Sequence, residues 1–231
     1  MKRCCPIIAL LLLAFNAWTQ TTEQIIARCA QALGGREKID ALRTARFHPI
    51  FPDHGYKPLP FELKRPNLSR MTSSRLVFDG KRACFLQGSD GKSGPEMVDA
   101  EEWKDYEVEI GFYFPAFFDY QAVFLGTFTV EGREAYALDV TLPLGARLTY
   151  FIDKQTFLPL KVSAVFTVRD KTFRPERVYS DYKEAAGIFF PHGFTYSSPH
   201  GVLKGVMESI EVNVDLPDKL FVIPEIQSQQ K

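Results

Sequence analysis

The feature that most constrains the fold is a series of strand patterns that fills the second half of the chain. Apolar and polar residues alternate over residues 136–142 and again over 158–168, and each stretch follows a short turn, Glu131-Gly132 or Asp153-Lys154-Gln155-Thr156. Further strand patterns cover about 174–182, 187–196 and 202–214. Strands at this spacing with short connections predict an antiparallel meander and not a parallel α/β sheet.

Helical patterns come before these strands. Apolar residues recur at helical spacing over 22–33, where Thr22 is a suitable cap and Gly34-Gly35 ends the helix. A second short helix is predicted over 36–42. A third is predicted from Pro95 to about residue 104, because proline favours the first turn of a helix.

The first twenty residues have the pattern of a secretory signal peptide. A basic start precedes an apolar run over residues 6–15, and Ala17 and Thr19 occupy the small-residue positions before a cleavage site. The run is shorter than the roughly 20 residues of a membrane span. We therefore expect residues 1–20 to be removed and residues 21–231 to form a single domain.

The charge balance and a motif search point away from nucleic-acid binding and give catalysis no positive support. Without the signal peptide the chain has 26 basic and 28 acidic groups, a net charge of −2, and no basic field. His48, Asp53 and His54 lack a metal-ligand spacing and read as a surface loop. The loop over 88–94 lacks the first glycine of a phosphate loop. We therefore expect that the protein is not an enzyme and that it binds neither a metal ion nor a cofactor.

Cys29 and Cys84 are the two cysteines that follow residue 20. In an oxidising compartment they could form a disulfide. The alternative reading, two small buried hydrophobic residues, explains them equally well.

Two consecutive stretches, "FELKRPNLSRM" and "LVFDGKRACFL", resemble the LolA family of periplasmic lipoprotein carriers. Lys64-Arg65-Pro66-Asn67-Leu68 and Asp79-Gly80-Lys81 stand in the family's order and approximate spacing. The later stretches "FIDKQTFLPLKV" and "YSDYKEAAGIFFPHGF" resemble the broader group of outer-membrane lipoprotein-sorting proteins. The resemblance implies a half-open antiparallel β-barrel, mainly β, with helices over its concave face and acyl chains bound between sheet and helices.

The stretch "EIGFYFPAFFDY" places six aromatic rings in nine positions between Phe112 and Tyr120. Alternation predicts an extended segment over 108–114, and Pro115 would begin a turn of helix. The resemblance places this run in the cover, where the rings would line a lipid cavity; the alternative is that they fill the barrel core. The expected lining residues are Phe112, Phe114, Phe117 and Phe118.

Arg65 has a role that the resemblance alone implies. In the family, the arginine of this motif hydrogen-bonds to the covering helices and holds the empty carrier shut. A guanidinium offers five donors, which suits the unpaired carbonyls of a helix end. The alternative is an ordinary strand arginine that faces water.

The function that the resemblance implies is a periplasmic carrier or chaperone that reversibly binds the acyl chains of lipoproteins or other lipids. It would act as a monomer, take its cargo from an inner-membrane donor and pass it to an outer-membrane acceptor. One alternative is a structural or interaction protein of the envelope whose hollow is filled by its own side chains. Another is an uncharacterised hydrolase.

Overall fold

The computed structural model describes residues 20–55, 60–73, 75–87, 93–199 and 201–225, so the predicted signal peptide lies almost wholly outside it. The helices in these residues are α1 (Thr22–Ala32), α2 (Arg36–Ala41) and α3 (Trp103–Tyr113). Short 3-10 turns cover Pro52–His54, Ala100–Glu102, Ala116–Phe118 and Asp218–Phe221. The strands are β1 (Thr44–Ile50), β2 (Phe61–Lys64), β3 (Leu68–Met71), β4 (Leu76–Phe78), β5 (Ala83–Phe85), β6 (Glu96–Met97), β7 (Ala122–Val130), β8 (Arg133–Thr141), β9 (Arg147–Asp153), β10 (Pro159–Val168), β11 (Lys171–Phe173), β12 (Glu176–Ala185), β13 (Ile188–Ser198) and β14 (Gly201–Val212).

These strands form one antiparallel sheet in which two meanders meet at the first and the last strand. The order is β6-β5-β4-β3-β2-β1-β14-β13-β12-β10-β9-β8-β7, and β11 pairs with β10 beside this path. The chain runs outward from β1 to the edge strand β6, crosses to the other edge strand β7, and returns inward to β14. Within the described residues the two edge strands are not paired with each other, so the sheet is open. The predicted antiparallel meander is confirmed.

The sheet is strongly curved, as the contacts at the end of α3 show. The Tyr113 ring stacks on Phe61 of β2 with centroids 4.2 Å apart. Two residues earlier, the Gly111 carbonyl accepts a hydrogen bond from Tyr150 of β9. In the strand order β2 and β9 are six places apart, which in a flat sheet would separate them by roughly 29 Å. One helix end reaches both strands because the sheet wraps around it, and the half-open barrel expected from the sequence is confirmed.

The two faces of the sheet belong to different hydrophobic clusters. In β4, Leu76 and Phe78 join the large core on the concave face, whereas Val77 joins a smaller cluster on the convex face. Leu216 and Phe221 of the C-terminal segment pack in that convex cluster. The buried residues of α1 and α3 belong to the concave core, so both helices cover the concave face, as predicted.

The helix α1 and the turn after it follow the prediction closely. Thr21 is the cap, one residue before the expected Thr22, and it exchanges hydrogen bonds with Gln24 in a capping box. Gly34 has φ of +118°, and a Cβ there would lie 2.1 Å from the Gly187 carbonyl oxygen. Glycine therefore lets the α1–α2 turn pack directly on the β12–β13 hairpin.

The aromatic run is helical where an extended segment was predicted. Residues 108–112 lie on α3, and the helix predicted over 95–104 begins only at Trp103, after β6 and a 3-10 turn. The reason is that α3 is enclosed on several sides, so its buried residues do not form one stripe and a helical period is hard to see. The turn of helix predicted after Pro115 is present as Ala116–Phe118.

Cys29 and Cys84 are free thiols. Both are buried, but Cys29 lies in the concave core and Cys84 in the convex cluster. They do not form a disulfide, and both match the alternative of small buried hydrophobic residues. Burial raises the pKa of the Cys29 thiol well above its ordinary value, so this thiol stays protonated at neutral pH.

The remaining motif candidates have ordinary surroundings where the structure describes them. His48 Nε2 lies 2.8 Å from Glu211 Oε1, and His192 is buried with its ring against the Phe190 carbonyl. The side chain of His54 and most of the loop over 88–94 lie outside the described residues. Within the described ranges, no group of three or more acidic, histidine or cysteine side chains is placed to hold a metal ion. In the same residues, no helix combines the length and apolar character needed to cross a membrane.

Candidate functional site

The chain between β6 and β7, residues 98–121, crosses the concave face from one edge of the sheet to the other. We call it the cover segment. It contains α3, the 3-10 turn Ala116–Phe118 and the whole aromatic run. Within the described residues the two edge strands do not pair with each other. The cover segment is the connection that spans the opening between them.

A glycine lets α3 approach β9 closely. A Cβ at Gly111 would lie 2.2 Å from Leu148 Cδ1 and 2.9 Å from Tyr150 Oη. These distances are shorter than van der Waals contact, so a larger side chain would push the helix away from the strand. Glycine inside a helix costs about 1 kcal/mol relative to alanine, and the close approach explains why glycine is nevertheless present.

The hydroxyl of Tyr150 fastens the cover segment at two points. It donates a 2.9 Å hydrogen bond to the Gly111 carbonyl and accepts a 2.9 Å hydrogen bond from the Ala116 N–H. Tyr150 is fully buried, so water does not compete for either bond. Burial also raises the pKa of this phenol well above its ordinary value, which keeps the donating proton in place.

Two side chains of β12 donate hydrogen bonds to the C-terminal end of α3. The Tyr179 hydroxyl donates to the Phe112 carbonyl at 2.8 Å, and Arg177 Nη1 donates to the same carbonyl at 3.4 Å. Carbonyls in the last turn of a helix have no partner within the helix. The cation is also favourably placed at the negative end of the helix dipole. The end of α3 is therefore held by donors from the sheet.

Arg65 joins the second helix and the cover segment to the sheet. It lies in the turn between β2 and β3, and its side chain is 8% exposed. Nη1 donates to the carbonyls of Ile39 and Leu42 at the end of α2, the latter at 3.0 Å. Nη2 and Nε donate to the Asp119 carboxylate at 2.6 and 3.0 Å. The guanidinium also lies 4.7 Å from the centroid of the Phe114 ring. Its role as a latch stays a prediction.

The four rings expected to line a cavity are all buried in the concave core, and their role towards a ligand also stays a prediction. The Phe117 ring meets Tyr150 edge to face at 5.0 Å and contacts Phe118 at 4.7 Å. Phe112 meets Tyr196 of β13 edge to face at 5.8 Å. Phe114 lies at 5.6 Å from Phe118. In this arrangement the rings occupy the concave hollow themselves.

Three cavities meet at the ring of Tyr113, the last residue of α3. Their volumes are about 10, 20 and 130 Å³, and Tyr113 lines each of them. The largest is a cleft beside Phe61 and Met71, while Phe112 and Phe114 line the two small ones. A volume of about 10–15 Å³ holds a single water molecule, so the two small cavities are nearly filled. Displacement of the Tyr113 ring would enlarge each of them.

A separate cleft of about 220 Å³ lies at the other end of α3. Tyr106 lines it from the helix, and the stacked rings of Phe166 and Phe173 line it from β10 and β11. Tyr196 lines this cleft, and its contact partner Phe112 lines the 10 Å³ cavity. The edge contact between these two rings is therefore the partition between the outer cleft and the inner cavities.

One ion pair lies inside this apolar region. Arg177 is 5% exposed, and its Nη2 lies 3.0 Å from Oε1 of Glu109 on α3, which is 20% exposed. The rings of Tyr113 and Phe194 flank the guanidinium, with centroids 4.7 and 4.8 Å away. Burial works to lower the pKa of Arg177, but Glu109 together with the phenols of Tyr113 and Tyr179 outweighs it, and the pKa is raised. Arg177 Nε has no hydrogen-bond partner among the described residues.

A second acidic side chain of α3 is buried without a cation. The Glu107 carboxylate accepts a 3.1 Å hydrogen bond from the Leu144 N–H in the turn between β8 and β9. Burial raises the pKa of Glu107 to about 7, and the hydrogen bond from Leu144 only partly opposes this. Glu107 is therefore a group whose charge changes near neutral pH.

Sequence reasoning missed Tyr113, Tyr150 and Arg177 as parts of this site. Arg177 did leave a signal, because it falls in the same alternation phase as Tyr179 inside a predicted strand. An arginine at a strand position whose neighbours in the same alternation phase face the core indicates a buried cation. The acidic residues of α3 left no comparable signal, since that stretch was predicted to be extended.

No protein-family model matches the sequence, and no curated protein matches it either. The structure is similar to that of a DUF1329 family protein from Desulfovibrio piger, with a TM-score of 0.53 and 13% identity over 88% of this chain and 98% of that chain. It is also similar to a LolA superfamily protein from Nitrosomonas europaea, with a TM-score of 0.49, 17% identity and coverage of 84% and 97%. A third similar structure is an outer-membrane lipoprotein-sorting protein domain from Vibrio parahaemolyticus, with a TM-score of 0.44, 12% identity and coverage of 86% and 94%. The half-open antiparallel fold expected from the sequence is confirmed by the strand order, and at these identities the likeness to the solved structures extends to the fold alone.

Proposed function

We propose that this protein is a periplasmic carrier or chaperone that reversibly buries the acyl chains of lipoproteins or other lipids between the curved sheet and the cover segment. It receives cargo from an inner-membrane donor and delivers it to an outer-membrane acceptor, as a monomer and without covalent chemistry. The observation that carries the proposal is the position of Arg65. One buried side chain joins α2, the cover segment and the sheet, so its release would free α2 and the cover segment together.

The free energy gained by burial of an acyl chain and the free energy gained by closure of the cover are of similar size. Burial of an acyl chain gains about 0.8 kcal/mol per methylene, so a chain of about ten methylenes gains about 8 kcal/mol. Each charge-assisted hydrogen bond of Arg65 contributes about 1.5 to 3 kcal/mol. Cargo can therefore open the cover, and closure of the cover can in turn help to expel cargo.

The packing of the cover segment also supports the proposal. The three cavities around Tyr113 are small because aromatic rings of the cover occupy the hollow. Rings that pack on one another in the empty protein can separate to admit a flexible hydrocarbon, since both arrangements bury apolar surface. The Lys-Arg-Pro-Asn motif and the predicted signal peptide agree with a carrier that works outside the cytoplasm.

A second candidate is a structural or interaction protein of the envelope with a self-filled core. The two cavities of about 10 and 20 Å³ favour it, because neither has room for a ligand in the present arrangement. In that case Tyr113 and Phe112 would be permanent core residues, and the cover segment would not open.

Mass spectrometry of lipid extracted from the purified protein separates the two candidates. The carrier predicts acyl-chain species that co-purify reproducibly and in a fixed ratio to protein. Extracts that contain no more lipid than those of an unrelated protein purified in parallel would favour the self-filled core. Uptake of a fluorescent fatty-acid probe by the delipidated protein provides an independent check.

A further inference from the structure

We infer that the cargo is an anionic amphiphile and that Arg177 on β12 receives its charged headgroup. The inference rests on the proposed function and names the chemical class of its cargo: an acyl chain that ends in a carboxylate or a phosphate. Glu109 on α3 holds the place of that headgroup in the empty protein, 3.0 Å from Arg177 Nη2.

A buried cation is costly in a hollow that would hold only hydrocarbon. Removal of a guanidinium from water is unfavourable, and well-packed apolar side chains in place of a buried ion pair often leave a protein as stable or more stable. A methylene chain gains nothing from a positive charge. Arg177 is nevertheless 5% exposed, and it lies among aromatic rings of the concave face. An anionic group on the cargo explains why a cation is kept there.

The donors of Arg177 are incompletely used. Nη1 donates to the Phe112 carbonyl and Nη2 to Glu109, while Nε is buried with no partner among the residues that the structure describes. In a guanidinium, Nε and Nη2 form the edge along which a carboxylate or phosphate binds through two oxygens. Glu109 contacts that edge through one oxygen only. A cargo headgroup that bridges both nitrogens would make one more charge-assisted hydrogen bond than Glu109 does.

The position of Glu109 allows the exchange. Its side chain lines the 130 Å³ cleft and is 20% exposed, so it can turn to water once it is displaced. Arg177 lines the adjacent 10 Å³ cavity, and the Tyr113 ring borders both spaces. The headgroup would enter from the cleft, replace the Glu109 carboxylate on Arg177, and leave its acyl chain among the rings of the hollow. One anion replaces another on Arg177, so the exchange needs no covalent step.

The aromatic surroundings of Arg177 hold the guanidinium ready for this exchange. The rings of Tyr113, Phe194 and Phe112 lie 4.7, 4.8 and 5.1 Å from it. Such faces attract a cation and limit its rotamers. A preorganised donor loses less entropy when it binds an anion, and a neutral headgroup has no charge with which to use it.

The test compares three ligands with the same chain length: palmitate, cetyl alcohol and cetyl phosphate. Each is measured by displacement of a fluorescent acyl probe from the delipidated full-length protein at neutral pH. Palmitate or cetyl phosphate is expected to bind roughly tenfold to a hundredfold more tightly than the alcohol. The tighter of the two anions identifies whether a carboxylate or a phosphate is the preferred headgroup.

Variants then assign the preference to Arg177. Glu109→Gln removes the competing carboxylate and should raise the ratio of anion affinity to alcohol affinity severalfold. The matched control is Glu134→Gln, at an exposed carboxylate that pairs with Lys154. Arg177→Met should remove the preference for anions; if this variant does not fold, the Glu109→Gln result decides.

Equal affinity of the wild type for all three ligands would overturn the role of Arg177 and leave the carrier proposal standing. Displacement by none of the three would instead refute the carrier proposal itself.

Discussion

Arg65 and Asp119 form a nearly buried ion pair that ties the cover segment to the turn between β2 and β3. Arg65 Nη2 lies 2.6 Å from Asp119 Oδ1, and the two side chains are 8% and 15% exposed. The same guanidinium holds the last carbonyls of α2. Because Asp119 lies beyond α3, loss of this pair should affect the position of the cover more than the strands around Arg65.

Arg65→Leu should therefore raise the affinity for acyl cargo. The closed form loses charge-assisted hydrogen bonds worth about 1.5 kcal/mol or more, so the open, binding-competent form becomes roughly tenfold more populated. Transfer to an acceptor membrane should slow in step, because closure no longer helps to expel the cargo. Probe affinity and transfer rate measure the two effects. Arg82→Leu is the control, since Arg82 is half-exposed and pairs with Asp79 within its own hairpin. Weaker binding with unaltered transfer would contradict a latch.

Gly111→Ala should destabilise the closed arrangement by about 1–2 kcal/mol. The added Cβ would lie 2.2 Å from Leu148 Cδ1, and such overpacking costs about 1–3 kcal/mol. The better helix propensity of alanine offsets up to about 1 kcal/mol of that cost. Urea denaturation of the variant measures the net change.

A double mutant tests whether Leu148 is the cause of that strain. Leu148→Ala alone should cost about 2–5 kcal/mol, because it leaves a cavity at the core. In the double variant the alanine at 111 has room, so the two costs should sum to less than their separate values by about 1 kcal/mol or more. Additive costs would mean that α3 does not press on Leu148.

Tyr113→Ala should increase the capacity of the hollow. Tyr113 borders all three inner cavities, so removal of its ring should enlarge the space in each. We expect tighter binding of a fluorescent fatty-acid probe and some loss of stability, because the stack on Phe61 is lost. Tyr106→Ala is the matched control on the same helix, since Tyr106 lines the outer cleft instead. If both variants bind the probe as the wild type does, the hollow does not receive acyl chains.

Stability should fall as the pH rises towards 7 because of Glu107. Its pKa is about 7 in the folded protein against an ordinary value of 4.5, so the folded state holds the proton more tightly than the unfolded chain. The stabilisation that the folded state gains from the protonated Glu107 is fully present below a pH of about 4.5 and is lost as the pH rises through about 7. At about 1.4 kcal/mol per unit the loss is at most about 3 to 4 kcal/mol. Glu107→Gln, whose amide oxygen can still accept from Leu144, should flatten this dependence between pH 5 and 8 in urea titrations. The exposed control Glu134→Gln should leave it unchanged.

The strands could be predicted from the sequence because their signals are local. Alternation and turn residues such as Glu131-Gly132 specify a hairpin without reference to the rest of the chain, and Glu131 and Gly132 do have positive φ in the structure. The pairing of β1 with β14 closes the two meanders into one sheet. That pairing depends on contacts between distant parts of the sequence, so no local pattern predicts it, and the resemblance implied only the half-open barrel.

The conformation of the cover segment could not be predicted in the same way. Val108, Ile110 and Phe112 alternate as a strand would, yet they lie on a helix that is enclosed by the sheet. A helix that is surrounded by apolar surface needs no polar face, so its sequence carries little periodicity. Arg65 was recognised through its motif, but its pairing with Asp119 is visible only when the two segments are brought together.

The topology of the cover segment has a consequence for cargo affinity. Residues 98–121 are tethered at both ends, to β6 and to β7, so the aromatic rings cannot diffuse away when the hollow opens. In the proposed carrier they would act as an intramolecular competitor whose effective concentration near the hollow is in the millimolar range for a short connection. Cargo would then displace a ligand that the chain itself carries. The measured affinity would then be a difference between two binding free energies, so a mutation that changes only how the cover packs on the sheet would change the affinity as well.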